Sequence, residues 1–307
     1  MGSTFLVWCT RTTSASPWTI FSMARKCYTR SSRGSVPMVI DFHTHIRRNE
    51  GSPADFVAEM DRLGIDKAVV AALIPPTPEL GDGSNEYTCE VVQRYPDRLI
   101  GFACVMPMER NAPDQLEYWV TQKGFKGLKL HPPIQNFAPN DPVTYPVIRK
   151  AIELDIPILY HTGPIYVRSA RQTYGDPNLL DELALTFPEA KIVGAHCDPL
   201  GWLPAIAGKH PNLYMDTSVH FPDRCQLIPG LGEMILTRAT SGISSLADKT
   251  LFGSDANPTY GLKRFEQNVE PLRNLQVSDE IKRKVLGLNA ARLLKLEVTD
   301  EGGSDDY

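Results

Sequence analysis

Met38-Val39-Ile40-Asp41-Phe42-His43-Thr44-His45 is where the regular part of the chain begins. Its first half is short and mostly apolar, as a buried parallel strand requires. Its second half turns polar. That turn carries histidines, not the glycine-rich loop that cradles a dinucleotide in an open doubly wound sheet. The distinction decides the fold because the same rhythm continues downstream. After Met38–Phe42, apolar runs ending in polar residues recur at Lys67–Leu73, Leu99–Val105, Phe125–His131, Pro157–His161, Lys191–His196, Leu213–Thr217 and Thr250–Ser254. Helical segments fit between them at Pro53–Leu63, Asn85–Tyr95, Pro113–Lys123, Val143–Leu154, Pro177–Phe187, Leu200–Lys209, Gln226–Arg238 and Leu262–Asn274. A last helix, Ser278–Leu294, starts with a serine suited to cap it and acids that favour its dipole. Eight strand–helix units without an internal repeat or linker are the pattern of an α/β chain folded as a single-domain (β/α)8 TIM barrel.

Composition narrows the function. The chain has 307 residues and a net charge of −4, so no basic surplus exists to neutralise phosphates, and a nucleic-acid partner is not expected. No apolar run approaches the roughly 18 to 20 residues of a membrane span, so no membrane partner is expected either. Six cysteines are scattered without a C-x-x-C pair, which argues against a thiolate zinc site and fits a reducing, cytoplasmic compartment. Residues 1–37 contain no acid, several arginines and many serines and threonines. They read as a leader outside the fold: a transit-like segment, which would place the protein in mitochondria, or a start assigned too early, since Met38 opens a strand. The barrel is expected over 38–298, and 299–307 reads as an acidic tail.

The polar residues gather at the carboxyl ends of the strands, where barrel active sites are built. Alternation puts Asp41, His43 and His45 on one face of the first strand. It groups Gly127, Lys129 and His131 on the fourth, Pro157, Leu159 and His161 on the fifth, Ile192, Gly194 and His196 on the sixth, and Leu251, Gly253 and Asp255 on the eighth. One histidine at a strand end is more often a satisfied core residue than a ligand. Five of the chain's seven histidines end predicted strands, however, and burying so many ionisable groups together is unfavourable unless a metal or substrate offsets it. Imidazoles plus a carboxylate suit one divalent ion, Zn²⁺ first, with Mn²⁺ or Fe²⁺ also fitting. Lys129 and His131 are candidates to touch metal or substrate. Arg168 and Arg171, in the loop Gly163–Arg171, could clamp a substrate carboxylate. Trp202 and Phe221 could line the pocket, and His220 could touch its rim. His210 falls at the opposite end of the barrel and is expected to be exposed.

These motifs resemble the amidohydrolase superfamily, and within it the amidohydrolase-related branch, often called amidohydrolase 2. That branch includes hydrolases and decarboxylases similar to aminocarboxymuconate semialdehyde decarboxylase. The resemblance runs from about Met38 to Leu296. It rests on Ile40–His45, Gly127-Leu128-Lys129-Leu130-His131-Pro132, Ile158-Leu159-Tyr160-His161-Thr162-Gly163, Gly194-Ala195-His196, Leu251-Phe252-Gly253-Ser254-Asp255 and Leu288–Leu294. It implies His43, His45 and His161 as metal ligands, and Asp255 as a ligand or as the residue that deprotonates the metal's water. It also implies His196 as the acid or base beside the substrate, and Asp41 as a deeper carboxylate orienting a ligand imidazole. Lys129 falls where two-metal relatives carry a carboxylated lysine. Since this branch usually binds one metal, it is read as an unmodified lysine paired with Asp255 or a substrate carboxylate. Cys197-Asp198-Pro199 stands where many relatives have a Gly-Gly pair after the sixth-strand histidine.

The activity implied is a metal-dependent hydrolase in which activated water attacks an amide, ester or lactone carbonyl of a small, carboxylated molecule. The alternative is a metal-dependent, non-oxidative decarboxylase, a carbon–carbon lyase built from the same parts. A third reading is a metal-binding barrel that has lost activity and serves as a partner protein. Relatives of this kind often dimerise, which implies a homodimer.

Overall fold

Runs such as Ala68-Val69-Val70-Ala71 and Pro157-Ile158-Leu159-Tyr160 are apolar on both faces, so each must be covered on both sides. A computed structural model describes residues 38–297 apart from 49, 78–80, 240–244 and 259–260, and shows how this is done. The leader and the acidic tail expected from the sequence lie outside the described residues. Eight of the strands form one parallel sheet: β1 (Ile40–Thr44), β2 (Lys67–Ala71), β5 (Leu99–Cys104), β6 (Gly127–Leu130), β7 (Pro157–Tyr160), β8 (Lys191–Gly194), β9 (Leu213–Asp216) and β10 (Thr250–Leu251). Each pairs with the next in chain order. The first and last are joined by Phe42 N–H donating to the Phe252 carbonyl at 2.8 Å and by a parallel bridge between Thr44 and Ala256. The result is a (β/α)8 barrel in a single domain.

The inner cluster includes Ile40, Phe42, Val69, Ala71, Ile100, Phe102, Leu159, Val193, Ala195 and Leu251. Phe102 meets Phe42 edge-on, with ring centroids 5.4 Å apart. Gly127 is the space in which that ring sits, because a Cβ there would come within 2.4 Å of it. A larger outer cluster lies between sheet and helices and takes the alternate residues, such as Leu128, Leu130, Ile158 and Tyr160.

Six of the helices that link strands are α1 (Pro53–Leu63), α2 (Asn85–Arg94), α3 (Ala112–Thr121), α5 (Tyr145–Glu153), α6 (Asn178–Thr186) and α7 (Leu203–Lys209). A short α4 (Pro132–Gln135) follows β6. Three local features differ from the sequence reading. First, β2 ends at Ala71, and Leu73–Thr77 (β3) pairs antiparallel with Gly81–Gly83 (β4). Pro75 and Pro76 had hidden that strand, because proline removes ladder donors. Second, the single helix expected over Gln226–Arg238 is two, α8 (His220–Leu227) and α9 (Leu231–Thr237). Gly230, at φ 82°, makes the break.

Third, the closing helix is continuous in place but not uniform. After α10 (Lys263–Asn274), α11 (Asp279–Arg283) is capped by the Ser278 side chain, which accepts from Ile281 N–H. A π-helical turn, Lys284–Leu288, then leads into α12 (Asn289–Leu294). That turn leaves the Val285 carbonyl to accept Phe252 N–H at 2.8 Å, tying the helix to the segment that leads from β10 to Asp255. Ala290, Ala291, Leu293 and Leu294 of α12 complete the inner cluster beside Met38.

Candidate metal and catalytic site

Strict alternation does not deliver the site residues; two local distortions do. The β1–β2 register shifts between Asp41 and Thr44. With this bulge, Phe42 joins the inner cluster and His43 still reaches the cluster of site side chains. In β8 the sequence reading put Ile192 and Gly194 inward. In fact Val193 and Ala195 belong to the inner cluster, and Gly194 faces Leu180 and Leu203 of the outer helices. His196 enters the cavity because its φ is 60°, which breaks the alternation. Asp255 shares that left-handed backbone at φ 53°.

Together these ends line a cavity of about 460 Å³, a volume suited to a small molecule. His45, Lys129, His131, His161, His196 and Asp255 all face it, beside Arg47, His220, Asn257 and Arg264. His43 lies just beneath, fully buried. Burial holds His43, His45, His161 and His196 well below the ordinary histidine range, so their rings are neutral. The stacked partner of His161 is His131, with ring centroids 3.9 Å apart; burial pushes its pKa down to about 3.

Neutral rings have tautomers, and their partners assign them. His45 Nδ1 lies 2.7 Å from the Ala71 carbonyl, which can only accept, so the proton is on Nδ1. His43 Nδ1 lies 2.8 Å from the Asp216 carboxylate and donates in the same way. Both Nε2 lone pairs then point at each other across 3.2 Å. Two acceptors in contact repel unless a cation stands with them. Lys129 supplies part of that charge, its amine 3.0 Å from His43 Nε2. Burial lowers the pKa of this amine to about 8. Asp255 Oδ1 lies 3.8 Å from His43 Nε2 and 3.5 Å from His45 Nε2. His161 Nε2 is buried with no hydrogen-bond partner. One ligand atom each from His43, His196 and Asp255 falls within a 4.8 Å span. Converging lone pairs, an orphaned buried nitrogen and a carboxylate fit a divalent cation.

Asp255 is pushed up to about 6 by burial, opposed by Arg264, whose guanidinium holds Oδ2 at 2.8 Å. Asp216 accepts everything around it. Oδ2 takes His43 Nδ1–H. Oδ1 takes the backbone N–H groups of His196 and Ser218, each at 2.9 Å, and the Ser218 hydroxyl at 2.5 Å.

Comparison with known proteins agrees with this architecture. The amidohydrolase family model matches residues 40–296. The chain belongs to the amidohydrolase family. Among curated proteins none matches it in sequence. Solved structures similar to this amidohydrolase include an uncharacterised TIM-barrel protein from Bordetella bronchiseptica. It is 22% identical, with a TM-score of 0.66, covering 84% of this chain and 98% of that one. A 5-carboxyvanillate decarboxylase from Novosphingobium aromaticivorans, complexed with manganese and 4-hydroxy-3-methoxy-5-nitrobenzoic acid, is 17% identical. Its TM-score is 0.64, with 90% of this chain and 100% of that one covered. A dihydroxybenzoic acid decarboxylase from Polaromonas, with manganese and 2-nitroresorcinol, is 16% identical. Its TM-score is 0.62, with coverage of 85% and 97%. At these identities the likeness establishes the barrel fold.

The rest of the amidohydrolase site corrects several sequence expectations. The carboxylate orienting the His43 imidazole is Asp216, not Asp41. Asp41 instead accepts the backbone N–H groups of His43 and Ser254. Lys129 lies against His43, not in an ion pair with Asp255, which acts on it from farther away. Arg168, Arg171 and Trp202 are exposed and outside the cavity lining, because their loops direct these side chains to solvent. Arg171 turns back onto the Tyr174 hydroxyl at 3.3 Å. The cavity's arginines are Arg47 and Arg264. Phe221 is buried in the outer cluster. His210 is buried, its Nε2 2.6 Å from Asp181. Asp216 was missed, although the signal was available: an acid at the carboxyl end of a predicted strand. No helix of the described residues is long and apolar enough to cross a membrane.

Proposed function

We propose that the chain is a metal-dependent decarboxylase acting on a small carboxylated molecule, with hydrolysis the second reading. The observation that carries this is the charge of the cavity. Arg47, Lys129 and Arg264 line it among neutral imidazoles, against Asp255, which Arg264 holds, and Glu50, whose carboxylate lies 3.5 Å from Arg47. Such a lining recognises an anion, and a divalent cation would add to its positive character. The fold-level likeness to two decarboxylases complexed with manganese, and with nitrated phenolic molecules, supports the same reading. It reverses the order suggested by sequence, where hydrolase came first as the broader class.

His43, His45, His161 and Asp255 would hold the ion. Once bound, it would act as a Lewis acid that orients an anionic substrate and stabilises developing negative charge. Because two of the similar structures hold manganese, Mn²⁺ is the first ion to supply, ahead of Zn²⁺ or Fe²⁺. Arg47 would grip an anionic group of the substrate at the cavity wall. Arg264 holds Asp255 in place through Oδ2. In the reaction the carbon–carboxyl bond breaks, carbon dioxide leaves, and the carbon keeps the electron pair and takes one proton. His196 would carry that proton at Nε2 and deliver it to the carbon.

The test is a panel of hydroxybenzoates and unsaturated dicarboxylates, run beside esters and lactones with the manganese-loaded protein. Carbon dioxide release, with one solvent deuterium at the product carbon in D₂O, is the expected result. Turnover confined to esters or lactones without carbon dioxide would overturn the reading in favour of hydrolysis.

A further inference from the structure

The sequence from Asp216 to His220 forms a compact device behind the site. Asp216 ends β9. Its carboxylate faces only donors, so it acts as an acceptor throughout. Ser218 has one hydroxyl proton and three polar neighbours, the farthest being His43 Nδ1 at 3.4 Å, whose own proton already goes to Asp216 Oδ2. Its Oγ lies 2.5 Å from Asp216 Oδ1 and 2.8 Å from His196 Nδ1. The carboxylate cannot donate, so the serine proton goes to Asp216. The serine lone pair is then left to accept from His196, which places the proton of that ring on Nδ1. Next comes a γ-turn. Val219, a β-branched residue, has φ 65° and ψ −72°, and His220 N–H donates to the Ser218 carbonyl at 2.8 Å. That conformation is strained for any L-residue with a Cβ. It is held from outside by Asn268, whose Oδ1 accepts Val219 N–H at 2.9 Å. The strain sits in the cavity wall, because Val219 and His220 both line it.

We propose that Asp216 and Ser218 are positioning residues that set the tautomers of two site histidines from one carboxylate. One oxygen fixes His43. The other, relayed by the Ser218 hydroxyl, fixes His196 with its proton on Nδ1 and its Nε2 lone pair directed to the cavity. The two rings stand with centroids 5.0 Å apart, so a single carboxylate keeps both in register. The γ-turn keeps Ser218 within reach of both partners. A ring of the opposite tautomer would present an N–H to the cavity, where it could neither take up a proton nor face a cation.

This inference rests on the proposed function only for its kinetic consequence; its structural content is read on metal-free protein. The experiment is ¹⁵N-histidine NMR of that protein at about pH 8, where neutral rings show their tautomers. The His196 signals are assigned by their loss in His196→Gln. The expected result is an Nδ1–H tautomer for His196 in the wild type. Ser218→Ala should shift the population to Nε2–H, and Ser218→Thr, which keeps a hydroxyl, should restore Nδ1–H. In the metal-loaded enzyme Ser218→Ala should lower kcat by about 10- to 100-fold with KM within about twofold, and keep its metal. Asp216→Asn should weaken metal affinity by about 10- to 100-fold. An Nε2–H tautomer in the wild type, or a tautomer unmoved in Ser218→Ala, overturns the proposal. Neither result depends on whether a carboxylate substrate is turned over, so failure of the decarboxylase reading is seen separately.

Discussion

Nε2 of His43 and Nε2 of His45 stand 3.2 Å apart, although each ring carries its proton on the opposite nitrogen. Facing lone pairs at that distance repel each other, and a cation held by both relieves the repulsion. Saturating Mn²⁺ should therefore raise the melting temperature of the wild type, by the stabilisation that ligand binding gives the folded state, about 2.7 kcal/mol at a hundred times Kd. The double variant His43→Ala with His45→Ala should bind about a tenth as much metal per chain or less, and its melting temperature should ignore Mn²⁺. Elemental analysis and a thermal melt check both. A double variant that keeps its metal would show that the ion sits elsewhere.

The proposed anion site puts substrate binding on a residue that the sequence reading passed over. Arg47 is 2% exposed and lines the cavity, whereas Arg168 and Arg171 are exposed outside it. A charge-assisted hydrogen bond contributes about 1.5–3 kcal/mol, roughly 10- to 100-fold in binding. Arg47→Ala should raise KM for a carboxylated substrate by that factor, with Arg168→Ala within about twofold of the wild type. Steady-state kinetics on both variants decide it. A large KM effect confined to Arg168→Ala would return the clamp to the loop after β7.

Much of this was legible in the sequence, for a physical reason. Each strand is a local apolar run, and each site histidine ends one, so counting runs locates both barrel and cavity. What escaped was non-local or depended on backbone torsion. His196 faces inward through its positive φ, not through strand parity. Asp216 has its meaning only beside His43, far away in sequence. The Leu73–Thr77 strand carries two prolines that argue against a strand, and its ladder to Gly81–Gly83 overrides them. Arg47 reads as one more charged residue in a loop until the barrel closes around it.

Asp41 gives a pH dependence with a definite sign. Burial raises its folded pKa to about 8, against roughly 3.9 in an unfolded chain. The folded state therefore holds the proton more tightly. The stability it contributes is complete below about pH 4 and is lost as pH rises through about 8. Metal-free protein should become easier to unfold with denaturant across that window. Asp41→Asn keeps an acceptor for His43 and Ser254 N–H but cannot titrate, so its profile should be flatter. Asp155 and Asp181 act in the opposite sense, each held low by hydrogen bonds from lysine, Lys191 and Lys209 respectively. Their contribution is lost only in acid, as pH falls through their depressed values. An Asp41→Asn profile parallel to the wild type between about pH 4 and 8 would remove the assignment.

Gly287 offers a test of how the barrel is closed from the end opposite the cavity. It lies in the π-helical turn Lys284–Leu288, and a Cβ built there would be 1.7 Å from the Met38 carbonyl oxygen and 2.9 Å from its carbon. Both are backbone atoms leading into β1, so no side chain can swing aside. Either the helix or the strand must move. The helix is tied by the Val285 carbonyl to Phe252 N–H, and the strand by Phe42 N–H to the Phe252 carbonyl, so both elements pull on one residue of the last barrel strand's extension. Gly287→Ala would be mildly favourable in an ordinary exposed helix. Here it should destabilise by roughly 2–4 kcal/mol, the range for overpacking a site that cannot relax. At about 2–4 °C per kcal/mol the melting temperature should fall by several degrees at least. A melt equal to or above that of the wild type would mean that this close contact between helix and first strand is not what seals the barrel.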